Sequence, residues 1–327
     1  MGLVLNFVIL VAGFVGLIKG ADIFVDGSSG LARRFKVPSL IIGLTIVALG
    51  TSLPELAVST AAAVKGANEI AISNIVGSNV FNLLMVLGFT AIFHPIPVNK
   101  DVVKRDFPIV VVVTLLLLGM AGVPVIFKGE LLKAAMSDKV GEITRLCGII
   151  FLVMLIAYIV LLISDAKKHP VEEEENKKDL ALWKCIVFVI FGAALIIAGG
   201  EAVVYSAQEI ARTFGMTETL IGLTVVAMGT SLPELVTGLV AAAKGETDLA
   251  MGNVVGSNIF NILLIGGVSS AIHPIAVNAA SVFDLIILGT ITVLVFLLAV
   301  TKRRITRLEG IIMVLLYAAE VVFAALR

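Results

Sequence analysis

The seven residues "GTSLPEL" occur twice in this 327-residue chain, at 50–56 and at 229–235, each time inside an apolar run. The offset of 179 residues holds without a gap around them: "IIGLTIVALGTSLPEL" (41–56) lies over "LIGLTVVAMGTSLPEL" (220–235). "NIVGSNVFN" (74–82) likewise lies over "NVVGSNIFN" (253–261), and "HPIPVN" (94–99) over "HPIAVN" (273–278). Self-similarity at one fixed offset makes the chain two copies of a single unit.

What the unit is follows from its apolarity. With 59% hydrophobic and 15% charged residues and a mean hydropathy of +1.10, the chain is too oily for a water-soluble domain. A hydrocarbon core of about 30 Å takes about 20 apolar residues per helix. That ruler gives ten spans: about 3–31, 39–65, 69–93, 106–123 and 147–164, then 184–211, 218–243, 248–272, 281–300 and 307–326. The expected fold is an all-α membrane protein in two five-helix units, 1–164 and 184–327, with repeated motifs at about 39–93 and 218–272 and a linker at 165–183. A unit with an odd number of spans re-enters the membrane from the opposite side, so the two copies form an inverted repeat, the architecture of a secondary transporter.

Lys and Arg counts orient the spans. Arg33, Arg34, Lys36, Lys100, Lys104, Arg105, the linker lysines, Lys244, Lys302, Arg303, Arg304 and Arg307 fall on one side, expected to be cytoplasmic, and fewer fall on the other. Both termini are then extracellular, in a plasma (inner) membrane, although the loop at 128–145 runs against the bias. The acidic linker "DAKKHPVEEEENKKD" lacks the alternating Asp/Asn and Gly of a calcium loop and reads as a solvated connection. The N-terminal apolar stretch lacks a basic n-region and reads as a retained span. Cys147 and Cys185 have no metal or disulfide spacing, and no basic cluster is interleaved with aromatics, so zinc and nucleic acid are not expected partners.

A glutamate at membrane depth is costly and points to function. Glu55 and Glu234 each follow a proline, Pro54 and Pro233, which removes a backbone donor and breaks the helix, freeing carbonyls around Ala48–Thr51 and around residues 227–230. Thr51 and Thr230 stand four residues before the glutamates, on the same face. In the following spans Ser78 and Asn82, and Ser257 and Asn261, are also four apart, while Gly77 and Gly256 let another backbone come close. Ser, Thr and Asn also serve as interhelical glue, but packing does not call for a carboxylate beside a helix break in both copies. The lining is all oxygen, which suits Ca²⁺, Na⁺ or Mg²⁺ rather than zinc or copper. Two carboxylates balance one Ca²⁺, two monovalent cations or two protons, and mutually exclusive occupancy is the physical basis of exchange. His94, His169 and His273 fall at span ends or in the linker; Asp22 and Glu201, equivalent under the offset, either line the pathway or end the hydrophobic zone.

These motifs resemble the cation/calcium exchanger superfamily in its sodium/calcium exchanger branch, of prokaryotic type; "GTSLPE" in both halves and "GSNVFN" with "GSNIFN" are similar to its two alpha repeats. The resemblance implies that spans 2, 3, 7 and 8 hold the ions while spans 1 and 6 slide across them. It makes Glu55 and Glu234 the acidic ligands, with oxygens from Thr51 and Thr230, support from Ser52 and Ser231, and carbonyls from Ala48 and Ala227. Ser78, Asn82 and Ser257 complete the set, and Asn261 stands where some sodium/calcium exchangers carry aspartate. The proton/calcium branch carries a "GN-x-x-E" type of motif, which this chain lacks.

The expected function is therefore Ca²⁺/Na⁺ antiport by alternating access, with H⁺/Ca²⁺ antiport as the alternative and a channel further behind. Ca²⁺ and Na⁺, or H⁺, are cargo; no cofactor is expected, the lipid bilayer is the other partner, and one chain is sufficient for transport. An intramembrane enzyme would need a nucleophile with an acid/base partner, and no histidine accompanies the two carboxylates at their depth.

Overall fold

The computed structural model describes residues 2–127, 131, 134–168, 170, 180–216, 225 and 227–326. Long apolar runs become helices because a backbone in hydrocarbon satisfies its N–H and C=O groups only within its own segment or a closed barrel. The first half contains α1 (Leu3–Arg34), α2 (Ser39–Thr51), α3 (Leu53–Val64), α4 (Asn68–Phe93), α5 (Phe107–Phe127) and α6 (Arg145–Lys168). The second contains α7 (Leu182–Thr213), α8 (Ala227–Gly229), α9 (Leu232–Ala243), α10 (Thr247–Ile272), α11 (Ala279–Lys302) and α12 (Arg307–Leu326).

Among the described residues, α1, α4, α6, α7, α10 and α11 are individually long and apolar enough to cross a membrane, and α2 with α3, bent by 50° at their junction, makes a seventh span. The expected broken span at 218–243 is represented by α8 and α9; its start, at 217–224 and 226, lies outside the described residues, as does the linker centre at 171–179.

Depth in the fold follows polarity. Over their most apolar stretch α4 and α10, which carry the "GSN" motifs, are 78% buried, against 22–28% for α1, α6 and α7. The polar helices thus form the centre, and the oily ones present Val, Leu, Ile and Phe outward. Backbone contact holds the centre together: a Cβ on Gly252 would lie 2.5 Å from the Leu40 carbonyl oxygen, and one on Gly256 2.7 Å from Ala48 Cβ, so α10 lies directly on α2. Gly77 has no such neighbour among the described residues.

At the periphery α1 and α7 pair along a glycine seam. Cβ atoms on Gly13, Gly20 and Gly27 would come within 3.0 Å of Val203, Ile196 and Val189 respectively, so the two helices run antiparallel with their backbones nearly touching. Cys185 is buried in this seam against Gly30, and Cys147, half-buried, lies 3.2 Å from the Thr144 hydroxyl. Two small antiparallel ribbons not foreseen from sequence tie loop ends together: β1 (Ile96–Pro97) pairs with β4 (Arg304–Ile305), and β2 (Lys139–Ile143) with β3 (Ile275–Asn278). β1 and β3 follow the two copies of the "HP" motif, whose histidines, His94 and His273, are exposed. His169 lies outside the described residues.

Candidate cation site

The helix breaks set the site. Proline has no N–H and suits only the first turn of a helix, so α3 and α9 restart with Pro54 and Pro233 in that turn. The residue before each restart has nearly the same backbone conformation, φ −86°, ψ 8° at Ser52 and φ −96°, ψ 7° at Ser231. Glu55 and Glu234 therefore occupy the first turns of two half-helices, where the positive end of the helix dipole faces a carboxylate. Pro54 cannot donate to the Gly50 carbonyl one turn back, nor Pro233 to that of Gly229. The Ala48 carbonyl, by contrast, accepts the Ser52 N–H at 3.1 Å and lies 3.3 Å from the Thr51 hydroxyl. Ala227 opens α8.

The two breaks are joined crosswise. Ser52 Oγ donates to Glu234 Oε1 at 2.9 Å, and Ser231 Oγ donates to Glu55 Oε1 at the same distance. Both glutamates are buried, with 1% and 0% exposure, and each keeps its second oxygen, Oε2, enclosed with no hydrogen-bond partner. Thr51, fully buried, has its hydroxyl 3.1 Å from Asn253 Oδ1, whereas Thr230 is half-buried with its hydroxyl oxygen unpartnered.

α4 and α10 carry the remaining expected residues. Ser78, Asn82, Ser257 and Asn261 are all buried, and their side-chain polar atoms have no partner. Both helices widen into a π turn at this level, Phe81–Val86 around Asn82 and Asn261–Gly266 starting at Asn261. Such turns are frequent at functional sites. The first packs on α9 and the second on α3, so each half's amide side chain is carried against the other half's glutamate-bearing helix.

Two asparagines escaped sequence reasoning. Asn74 Nδ2 donates to the Glu55 carbonyl at 3.2 Å, and Asn253 Nδ2 to the Glu234 carbonyl at 3.3 Å, fixing each restarted helix to the next one. Their signal is present in the duplicated "N-x-V-G-S-N" spacing. Asp22 and Glu201 stand outside this buried centre, both partly or largely exposed.

Chemically, the centre is a closed group of oxygens carrying two formal negative charges. A buried polar group without a partner costs about 1–3 kcal/mol, and a charged one more. A hard cation offsets that cost by accepting carboxylate, hydroxyl and amide oxygens together. Among the described residues no cluster of three or more His, Cys, Asp or Glu side chains exists, so two glutamates supply the charge. The fold and this site define a membrane protein with a buried, oxygen-lined centre, carrying two carboxylates, at the crossing of two broken helices.

Comparison with known proteins specifies the class. The family model described as sodium/calcium exchanger protein matches residues 5–164 and 184–326. The chain is 40% identical over 321 residues to the putative antiporter CaxA of Alkalimonas amylolytica, covering 95% of each chain. It is 32% identical over 341 residues to the sodium/calcium exchanger MaX1 of Methanosarcina acetivorans, covering 97% of each. Among solved structures it resembles the sodium-calcium exchanger NCX_Mj soaked with 2.5 mM Na⁺ and 10 mM Sr²⁺, with 30% identity and a TM-score of 0.81 over 98% of this chain and 99% of that one. The chain belongs to the sodium/calcium exchanger family and is a cation/Ca²⁺ antiporter. Its family transports ions across a membrane rather than catalysing a reaction.

Proposed function

We propose that this chain exchanges Ca²⁺ for Na⁺ across a plasma membrane by alternating access, with both termini extracellular and one chain sufficient. The observation that carries this reading is the crossed pair of serine–glutamate hydrogen bonds, each 2.9 Å long, which makes one centre out of equivalent residues from both copies. Such a centre is what ten helices in two inverted five-helix repeats would build at the membrane midplane. Glu55 and Glu234 are the charged ligands; Thr51, Thr230, Ser78, Ser257, Asn82, Asn261 and the carbonyls of Ala48 and Ala227 supply neutral oxygens. Ser52 and Ser231 hold the carboxylates in place. Two negative charges match one Ca²⁺ or two Na⁺, so the two cargoes exclude each other.

Vesicles loaded with Na⁺ are expected to accumulate ⁴⁵Ca²⁺ when diluted into sodium-free medium. Uptake that ignores sodium and follows an imposed pH gradient would overturn the sodium assignment. Asn261 gives that second reading, H⁺/Ca²⁺ exchange, its footing: an amide stands where an additional carboxylate would otherwise strengthen sodium binding.

A further inference from the structure

Lys244, at the end of α9, is clasped by α1. Its Nζ lies 2.7 Å from Asp22 Oδ1 and 2.6 Å from Asp26 Oδ1, and donates to the Asp22 carbonyl at 2.8 Å. On this side α1 seals against α9: Ala21 and Val25 are 0% exposed, and Thr237 is buried.

The offset of 179 residues carries Asp22 to Glu201, Asp26 to Tyr205 and Lys65 to Lys244. At the opposite end of the seam these equivalents stand apart. Glu201 and Tyr205 line a cavity of about 330 Å³ that is walled also by Pro54, Ala57 and Val58 of α3 and floored by Gly229, Thr230 and Pro233 at the second break. Val204 is partly exposed there, where its equivalent Val25 is buried. Lys65, at the end of α3, is exposed, and among the described residues neither its side chain nor that of Glu201 has an ion pair or hydrogen bond. One side is latched shut and the other is open, with the parts of a matching latch in place.

The glycine seam packs α1 and α7 backbone to backbone, so if the two move as one body, closing α7 onto α3 would draw α1 away from α9. We propose that Lys65 pairs with the Glu201 carboxylate and the Tyr205 hydroxyl when the cavity closes, as Lys244 releases Asp22 and Asp26. This rests on the alternating-access reading above. The two latches are unequal. Lys244 meets two carboxylates and Lys65 would meet one carboxylate and a phenol, so the pair biases the resting protein toward the cavity-open form and returns it there after each cycle.

The test places a reporter cysteine at Val204, in the cavity wall, in the full chain with Cys147 and Cys185 replaced by Ala, and reads the rate of its modification by a bulky polar maleimide. Lys244→Gln is expected to slow modification about two- to fivefold, the size an exposed ion pair supports. Adding Lys65→Gln to that variant should return the rate toward its starting value, while Lys244→Arg should leave it unchanged. Modification unaffected by Lys244→Gln, or a double variant no faster than the single one, would overturn the latch. Sodium-driven ⁴⁵Ca²⁺ uptake by the native chain separates the two proposals: uptake with unchanged modification rates sinks the latch alone, and absent uptake sinks the exchange reading.

Discussion

Ser52 Oγ donates to Glu234 Oε1 at 2.9 Å, although the two residues are 182 positions apart and lie on different broken helices. The equivalent bond from Ser231 to Glu55 has the same length, so neither glutamate is held by its own half of the chain alone. Each half's break organises the other half's charge.

Replacing a glutamate by its isosteric amide tests that charge without removing the oxygen the serine holds. Glu55→Gln and Glu234→Gln are each expected to fold and to lower Ca²⁺ uptake by about a hundredfold or more, since losing one member of a buried charge pairing costs about 3–5 kcal/mol. ⁴⁵Ca²⁺ uptake measured beside thermal unfolding in detergent checks both halves of the statement. Uptake retained in both variants would remove the glutamates from the site.

Loss of a serine leaves the charge and removes its anchor. Ser52→Ala and Ser231→Ala should raise the half-saturating Ca²⁺ concentration by roughly tenfold, in keeping with about 1.5–3 kcal/mol for a hydrogen bond to a charged group. Equal bond lengths predict similar effects for the two variants. Titration of uptake against external Ca²⁺ measures them, and a large effect in one with none in the other would contradict the crossed arrangement.

Gly252 leaves no room for a side chain, because its Cβ would stand 2.5 Å from the Leu40 carbonyl oxygen. Gly252→Ala is expected to destabilise the protein by about 1–3 kcal/mol through overpacking, read as a lowered midpoint of thermal unfolding. Gly289→Ala is the contrast: its nearest contact would be Leu115 Cδ2 at 3.9 Å, and alanine favours the helix, so its unfolding midpoint should not fall.

Asp106, fully buried, accepts from Arg105 Nε at 2.8 Å and from its terminal nitrogen at 3.0 Å, and from the Tyr158 hydroxyl at 3.0 Å; Arg105 also pairs with Asp165. This cluster joins the start of α5 to α6. Asp106→Ala should cost about 3–5 kcal/mol, by leaving a partly buried guanidinium short of a partner, and Tyr158→Phe about 1 kcal/mol. Chemical or thermal unfolding of both variants ranks them, and equal losses would show that the ion pair adds nothing to the phenol's bond.

Pro54 made the first break readable, since proline inside an apolar run admits few geometries, and the 50° bend lies where the motif puts it. Glu55 and Glu234 stood out for a similar reason: a carboxylate in oil has a narrow range of explanations. Asn74 and Asn253 were missed because an amide in a transmembrane helix looks the same whether it packs two helices or caps a carbonyl. The π turns at Asn82 and Asn261 were hidden for a different reason. An i→i+5 backbone ladder depends on how neighbouring helices press on the turn, and nothing in local composition marks it. The crossed serine bonds required knowing that the two breaks meet, which the offset implies only once the copies are placed face to face.

The glycine seam between α1 and α7 has a bearing on how the chain is assembled in the membrane. Gly20 and Gly192 admit the partner helix so closely that, were either half made alone, a strip of bare backbone would face lipid, which has no counterpart for its shape. Whichever helix inserts first therefore presents a shape that only the other one fits.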